Sequence, residues 1–332
     1  MALLLTETDV RAILTMPLAL EAVEDSFRRL ASGSAIVYPR HRLHLPGQSY
    51  LHYMAAADGS SGYAGLKMYT SSREGLRFLV PLFSVQSGDL LAMIEADYLG
   101  QMRTGAASGV ATRWMAREDA HTLAMIGTGS QARTQLEAIA LVRKIESVRA
   151  FGRDAGRREK FAKEMTERLH IPVTPVATAE AALRGAAIVV TSTTASQPVV
   201  EARWLEPGMH INAIGANFPQ KQELDAAAVG RCDLVVVDSL EQSKHEAGDL
   251  IQAYGEDAAR WSGVHELSEI AGGKMKGRID ARQITLFKSN GIASEDIVVA
   301  GRIYELAHAR GLGQEIPLWK KDARAAEGRG LS

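Results

Sequence analysis

The chain has 332 residues, 46% hydrophobic and 23% charged, with one cysteine and a formal net charge of −1. That length fits two domains of about 150 residues each, with ordinary globular composition to fill their cores. The charge balance excludes the basic stripe that nucleic acid or an anionic membrane needs. Cys232, being alone, excludes an intramolecular disulfide and points to a reducing, cytoplasmic setting.

The opening MALLLTETDV carries a short apolar patch without a basic flank. No secretory signal is expected, and no apolar run reaches membrane-spanning length. Thr8 or Asp9 can cap a helix that runs to residue 32. Val10, Ile13 and Leu14, then Leu20, Val23, Phe27 and Leu30 beyond Pro17, keep helical spacing until Gly33. Residues 35–95 change period. Short apolar runs at 50–54, 65–69, 78–84 and 90–95 are separated by Gly, Ser, Asp and Pro, which predicts a meandering sheet with Ser87-Gly88-Asp89 as a hairpin-like turn. Residues 96–116 then read as one helix rich in small side chains (Gly105, Ala106, Ala107, Ser108, Gly109, Ala111), able to approach a neighbour or a cofactor closely.

The most informative stretch follows. Leu123 to Ile126 form an apolar run that meets Gly127-Thr128-Gly129-Ser130-Gln131-Ala132 at the start of a helical segment. Strand, glycine turn and helix start come in the order of a dinucleotide site. Gly127 permits the turn, Gly129 lets backbone approach a pyrophosphate, and Ala132 is small where helix packs on strand. Strands at 122–126, 147–151, 171–176, 187–191, 210–214 and 233–237 alternate first with helices at 130–143, 154–168 and 178–184. This alternation predicts a doubly wound parallel sheet of α/β class. Residues 239–282 look helical and partly irregular, 283–288 form another strand and 293–310 a last helix. The charged, Gly-rich tail after Pro317 is expected to fray.

The second strand ends at Phe151-Gly152-Arg153, with Arg157 and Arg158 close behind. An acid there would accept from the ribose 2′-OH of NAD, whereas an arginine suits the 2′-phosphate of NADP. NADP(H) is therefore expected, with NAD(H) as the alternative, and Asp154 is assigned to a helix cap. Thr191, Ser192 and Thr193 place hydroxyls at a strand C-terminus, where open α/β sheets bind ligands. The same residues also suit β-branched filler and an N-cap. The nine histidines show no ligand pair. His41 and His44 fall on opposite strand faces, and Asp249 stands four residues after His245, so no metal is expected.

In combination these stretches resemble the ornithine cyclodeaminase/μ-crystallin family over nearly the whole chain. The matching segments are Pro39-Arg40, residues 51–55 (LHYMA), Gly65-Leu66-Lys67, Ser87-Gly88-Asp89, the run from Met102 to Ala107 (MRTGAA), the IGTGSQA turn, residues 206–215 (EPGMHINAIG) and Lys288-Ser289-Asn290-Gly291. The resemblance implies a Rossmann domain at 116–295. It also implies a substrate-binding and dimerisation domain built from 1–115 and 296–332, and a homodimer. It further implies hydride transfer between nicotinamide and the Cα of a small α-imino or α-amino acid. Arg40 and Arg103 then clamp the carboxylate and Lys67 moves the proton, its pKa lowered by partial burial beside arginines. Thr104 and Ser289 join Gly127, Thr128, Gly129, Ser130, Gln131, Arg153, Thr191, Ser192 and Thr193 as cofactor contacts. Arg42 shares a strand face with Arg40, so spacing alone leaves the two open. The Pro-Arg match favours Arg40. Taken singly, Lys67 would read as an edge lysine and Arg103 as a solvated helix residue.

One departure matters. Cyclodeaminases of the family carry an aspartate where this chain has Asn217, and an amide is no general base. The resemblance therefore implies an imine reductase or amino-acid dehydrogenase, with Asn217 as a polar orienting group. Ornithine cyclodeaminase is the alternative, and a non-catalytic cofactor- and ligand-binding protein is a third reading.

Overall fold

Burial separates two kinds of sheet. The computed structural model describes residues 1–46, 49–73 and 75–318. From His52 onward every second residue of one strand is buried, whereas residues 123–126 are buried without interruption. Alternation marks a sheet with one covered face, and continuous burial marks a sheet covered on both.

The first sheet contains β1 (Ala2–Leu5), β2 (Ala35–Leu45), β3 (Ser49–Asp58), β4 (Tyr63–Ser72), β5 (Gly75–Ser84) and β6 (Leu90–Glu95). β2 to β6 pair antiparallel in sequence order. The expected turn at 87–89 closes with Ser84 N–H donating to Asp89 C=O at 2.9 Å. The second sheet contains β7 (Thr122–Ile126), β8 (Ser147–Phe151), β9 (Val173–Pro175), β10 (Ile188–Thr191), β11 (His210–Ala213), β12 (Leu234–Val237), β13 (Val264–Glu266) and β14 (Thr285–Lys288). All its pairings are parallel, in the order β13-β12-β14-β11-β10-β7-β8-β9. Leu123 and Met125 of β7 enter one core, while Ala124 and Ile126 enter another on the opposite face. The order runs one way from β7 through β8 to β9 and the other way through β10. β7 and β10 therefore flank the switch point where such sheets bind ligands.

The last helix, Ala293–Arg310, packs on the first sheet, and β15 (Gln314–Ile316) pairs with β1 beyond it. The helix Asp97–Met115 bridges the sheets. It packs against the helix Ser130–Val142, and its Gly105 sits where any Cβ would overlap the Thr134 backbone.

Three features differ from the sequence reading. The N-terminal helix is two helices, Glu7–Ile13 and Met16–Ser32. Pro17 has no N–H to continue a helix, so the second one restarts with Pro17 in its first turn, where none is needed. The cap is Thr6, not Thr8 or Asp9. Thr6 accepts from Asp9 N–H while the Asp9 carboxylate returns the bond. Strands β1, β13 and β15 were not foreseen: β13 (VHE) and β15 (QEI) carry one apolar residue each, and the four residues of β1 (ALLL) show no alternation. The tail from residue 319 lies outside the described residues.

Gly127 shows how tightly the turn after β7 is specified. It has φ +102°, and a Cβ there would meet the Ser192 carbonyl oxygen at 2.5 Å. Gly127→Ala is expected to destabilise the protein by about 1–3 kcal/mol through backbone strain and overlap, read as a lowered urea midpoint at unchanged m-value.

Candidate active site between the two sheets

A cavity of about 460 Å³ opens between the sheets. Its first wall is the face of β2–β5 that carries Arg40, His52, Met54, Lys67, Tyr69 and Phe78. Opposite stand Gly129, Ser130 and Gln131 after β7, Ser192 and Thr193 after β10, and Asn217 and Lys221 after β11. Gly100, Arg103 and Thr104 close one side, and Ser289, Asn290 and Gly291 another.

The cations are buried on carboxylates. Lys67 is 2% exposed, and its Nζ donates to Asp296 Oδ1 at 2.7 Å. The same oxygen accepts from Arg103 Nε at 3.0 Å, and Arg103 Nη1 donates to Glu295 Oε2 at 2.9 Å. Gly100 leaves Lys67 its room, because a Cβ there would lie 2.9 Å from Nζ. Gly291, at φ +77°, lies against the Arg103 guanidinium with no space for a side chain. Arg40 Nη1 donates to Glu246 Oε2 at 2.7 Å, and Nη2 donates to the carbonyls of Asn290 and Gly291 at 2.9 and 3.1 Å. Arg42 pairs with the other Glu246 oxygen at 2.6 Å, donates to the Asn217 carbonyl at 3.1 Å and lies 4.3 Å over the Phe218 ring. Arg40 lines the cavity; Arg42 instead braces the loop behind it.

These surroundings set the protonation states. Burial, reinforced by repulsion from Arg103 and Arg40, pushes Lys67 down to about 8 against the pull of Asp296. His52, stacked on Tyr69 at 4.2 Å, is pushed down to about 4 by burial and by Arg42 and Arg40, and stays neutral. Burial would lower Arg103, but Asp296 and Glu295 outweigh it and hold the guanidinium firmly charged. Burial raises Glu295 to about 8, with Asp238 and Asp296 adding to the rise and Arg103 opposing it.

The glycine turn fits a dinucleotide. Gly129 has open space where its Cβ would be, and it caps the helix Ser130–Val142, whose first two residues line the cavity. The buried Gln131 Oε1 and Ser192 Oγ have no hydrogen-bond partner among the described residues. Thr104 Oγ1 donates to the Gly100 carbonyl, and Ser289 Oγ to Asp238. Four expected contacts lie off the cavity. Gly127 and Thr128 form the turn behind it, and Thr191 is buried with its hydroxyl on Glu223 Oε2 at 2.8 Å. Arg153 is exposed beyond β8, where Asp154 caps the following helix by accepting from Arg157 N–H.

Sequence reasoning missed the acids that hold the site. Asp296, Glu295 and Glu246 gave no signal beyond being charged residues at a helix start or end. Glu223 was also missed. It accepts from Thr191, Thr193 N–H and Gly215 N–H, joining the ends of β10 and β11.

Fold and site together define a Rossmann-type α/β protein whose dinucleotide turn faces a cavity lined by buried cations. The chain belongs to the ornithine cyclodeaminase/mu-crystallin family, whose profile matches residues 1–311. It is 41% identical over 260 residues to a Δ1-pyrroline-2-carboxylate reductase of Bacillus cereus, covering 76% of this chain and 80% of that one. Its fold matches the Thermococcus litoralis Δ1-pyrroline-2-carboxylate reductase solved with NADH and L-proline, with TM-score 0.90, 36% identity and coverage of 95% and 100%. It also matches an archaeal alanine dehydrogenase dimer with bound NAD, with TM-score 0.89, 35% identity and coverage of 96% and 99%.

Glu246 carries two arginines in a site where it is 2% exposed as a side chain. Glu246→Ala strands both charges and is expected to cost about 3–5 kcal/mol of unfolding free energy, measured by urea denaturation.

Proposed function

We propose that this chain is an NAD(P)H-dependent oxidoreductase that reduces a small cyclic or linear α-imino acid, or oxidises the matching α-amino acid. The observation that carries this reading is the shared cavity. A buried lysine with a lowered pKa and two buried arginines face the glycine turn and helix start that suit a dinucleotide. The names of the relatives, pyrroline-2-carboxylate reductase and alanine dehydrogenase, support the same substrate class.

When bound, the dihydronicotinamide supplies a hydride to the imine carbon. Arg40 and Arg103 hold the substrate carboxylate, because a planar fork meets two oxygens at once. Lys67 holds the proton at Nζ and passes it to the imine nitrogen as the C=N electron pair settles there. The products are the amine, oxidised cofactor and a neutral lysine. Asp296 fixes Nζ, Asn217 orients the nitrogen by hydrogen bonding, and Met54, Tyr69 and Phe78 keep water from the imine. Gly129, Ser130, Gln131, Ser192, Thr193, Thr104 and Ser289 serve the cofactor. Residues 116–295 act as the cofactor domain, and 1–115 with the last helix as the substrate and dimer domain.

NADP(H) is the preferred cofactor in this reading. β8 ends without a carboxylate free to accept from a ribose, and Arg153 stands exposed beside Gly152. The protein is a homodimer in this reading, supported by the dimer of the archaeal relative and by the exposed Ile36, Tyr38, Leu43 and Leu45 along the edge strand β2.

The test is oxidation of NADPH and NADH with Δ1-pyrroline-2-carboxylate, Δ1-piperideine-2-carboxylate, or pyruvate plus ammonia, with ornithine as a control. Turnover that Lys67→Met lowers by about 10²–10⁴-fold supports the reading. Ammonia release from ornithine in its place overturns it, and tenfold tighter NADH overturns the cofactor preference. Reduction needs Lys67 charged, so its rate falls as pH rises through about 8, and oxidation rises over the same range. A monomer mass in light scattering at micromolar concentration contradicts the dimer.

A further inference from the structure

The charged side chains around the clamp form one connected cluster. Linked through the clamp, four cations, Arg40, Arg42, Lys67 and Arg103, face four carboxyls, Glu246, Asp296, Glu295 and Asp238, while Lys221 and Asp97, one of each sign, line the cavity outside this cluster. Asp238 has no paired cation among the described residues. It accepts from Ser239 N–H, Ser289 Oγ, Asn290 N–H and Gly291 N–H, and the carbonyls of Asn290 and Gly291 accept in turn from Arg40. With every carboxyl ionised the cluster is neutral. A substrate carboxylate then adds a fifth negative charge among four positive ones, in a place where unbalanced charge is expensive.

Glu295 is the member placed to relieve the excess. Its side chain is 0% exposed, and its single side-chain partner among the described residues is Arg103. Its second oxygen, Oε1, is buried with no hydrogen-bond partner. Glu246 and Asp296 also leave one oxygen each without a hydrogen bond, but each is paired with two cations where Glu295 has one, and Asp238 is held by four donors. The charged groups acting on Glu295 are Arg103 from the helix Asp97–Met115, Asp238 from the end of β12 and Asp296 from its own helix. Lys67 from β4 and Arg40 from β2 stand one partner further away.

We propose that Glu295 carries a proton in the substrate-bound site, so that the clamp accepts a substrate carboxylate together with one proton. Glu295 acts as a positioning residue. Once neutral, it no longer competes for the Arg103 charge, and the guanidinium turns its attraction to the substrate. This rests on the reading that Arg40 and Arg103 hold that carboxylate. The buried environment already raises the Glu295 pKa to about 8, and an added anion beside Arg103 raises it further.

The test is the affinity of pyrrole-2-carboxylate for the enzyme with NADPH bound, by isothermal titration calorimetry at pH 6.5 and pH 9. This ligand is planar and has no nitrogen that titrates in that range, so the proton count belongs to the protein. Glu295→Gln mimics the protonated acid at the same size. At pH 6.5 wild type and variant bind alike; at pH 9 the variant binds about tenfold tighter, because it needs no proton. Deprotonation of Lys67 weakens both proteins equally, so the ratio between them isolates Glu295. The gain at high pH is a result that misfolding cannot imitate. Equal affinities at pH 9, or a variant weaker at both pH values, overturn the proposal while leaving the carboxylate clamp standing. No binding to wild type at either pH overturns the clamp and this inference with it.

Discussion

Asp296 Oδ1 accepts from Lys67 at 2.7 Å and from Arg103 at 3.0 Å, and the cavity takes its chemistry from that shared oxygen. Lys67 comes from a strand of the antiparallel sheet, Arg103 from the bridging helix and Asp296 from the last helix. A carboxylate between two cations holds three elements at one point. It also leaves Lys67 in balance, since burial and two arginines favour the neutral amine while Asp296 favours the charged one. Burial and the arginines win by enough to bring Lys67 to about 8, and that is the condition for a proton to move near neutral pH.

The two sheets divide the work because their chemistry differs. The parallel sheet is buried on both faces, so its polar contribution is confined to strand ends and turns. At one such turn Gly129 leaves open space at the start of the helix Ser130–Val142. The antiparallel sheet alternates, and the covered face of β2 to β5, which also carries the core residues Met54 and Ala56, presents Arg40, His52, Lys67 and Tyr69 to the cavity. The buried acids behind each wall, Glu223 for the turns and Glu246, Asp296 and Glu295 for the cations, turn these surfaces into fixed geometry. Such ion pairs are poor sources of net stability, because desolvation consumes most of the attraction. Their retention in the core is explained by position rather than by energy.

Much of this was legible in the sequence. The strands at 122–126 and 147–151 and the helix at 293–310 have the expected bounds, because apolar runs between glycine or proline breaks leave little freedom. Lys67, Arg40 and Arg103, named through family likeness, stand around one cavity with Asn217 and Ser289. The acids were not legible. Asp296 lies 229 residues from Lys67, and Glu246 lies 206 from Arg40. At a helix start Glu295 and Asp296 read as ordinary partners of the helix dipole. Only the approach of the last helix to β4 shows that they face cations. The partner of Thr191 was equally hidden, since a hydroxyl at a strand end looks available until Glu223 is seen to accept from it.

The central claim is that hydride and proton meet the two ends of one C=N bond in this cavity. The most direct measurement uses NADPH deuterated on both C4 positions with Δ1-pyrroline-2-carboxylate, following the product by proton NMR. The expected product is proline carrying one deuterium at Cα and none elsewhere. Proline without deuterium at Cα, or deuterium at another carbon, would contradict it.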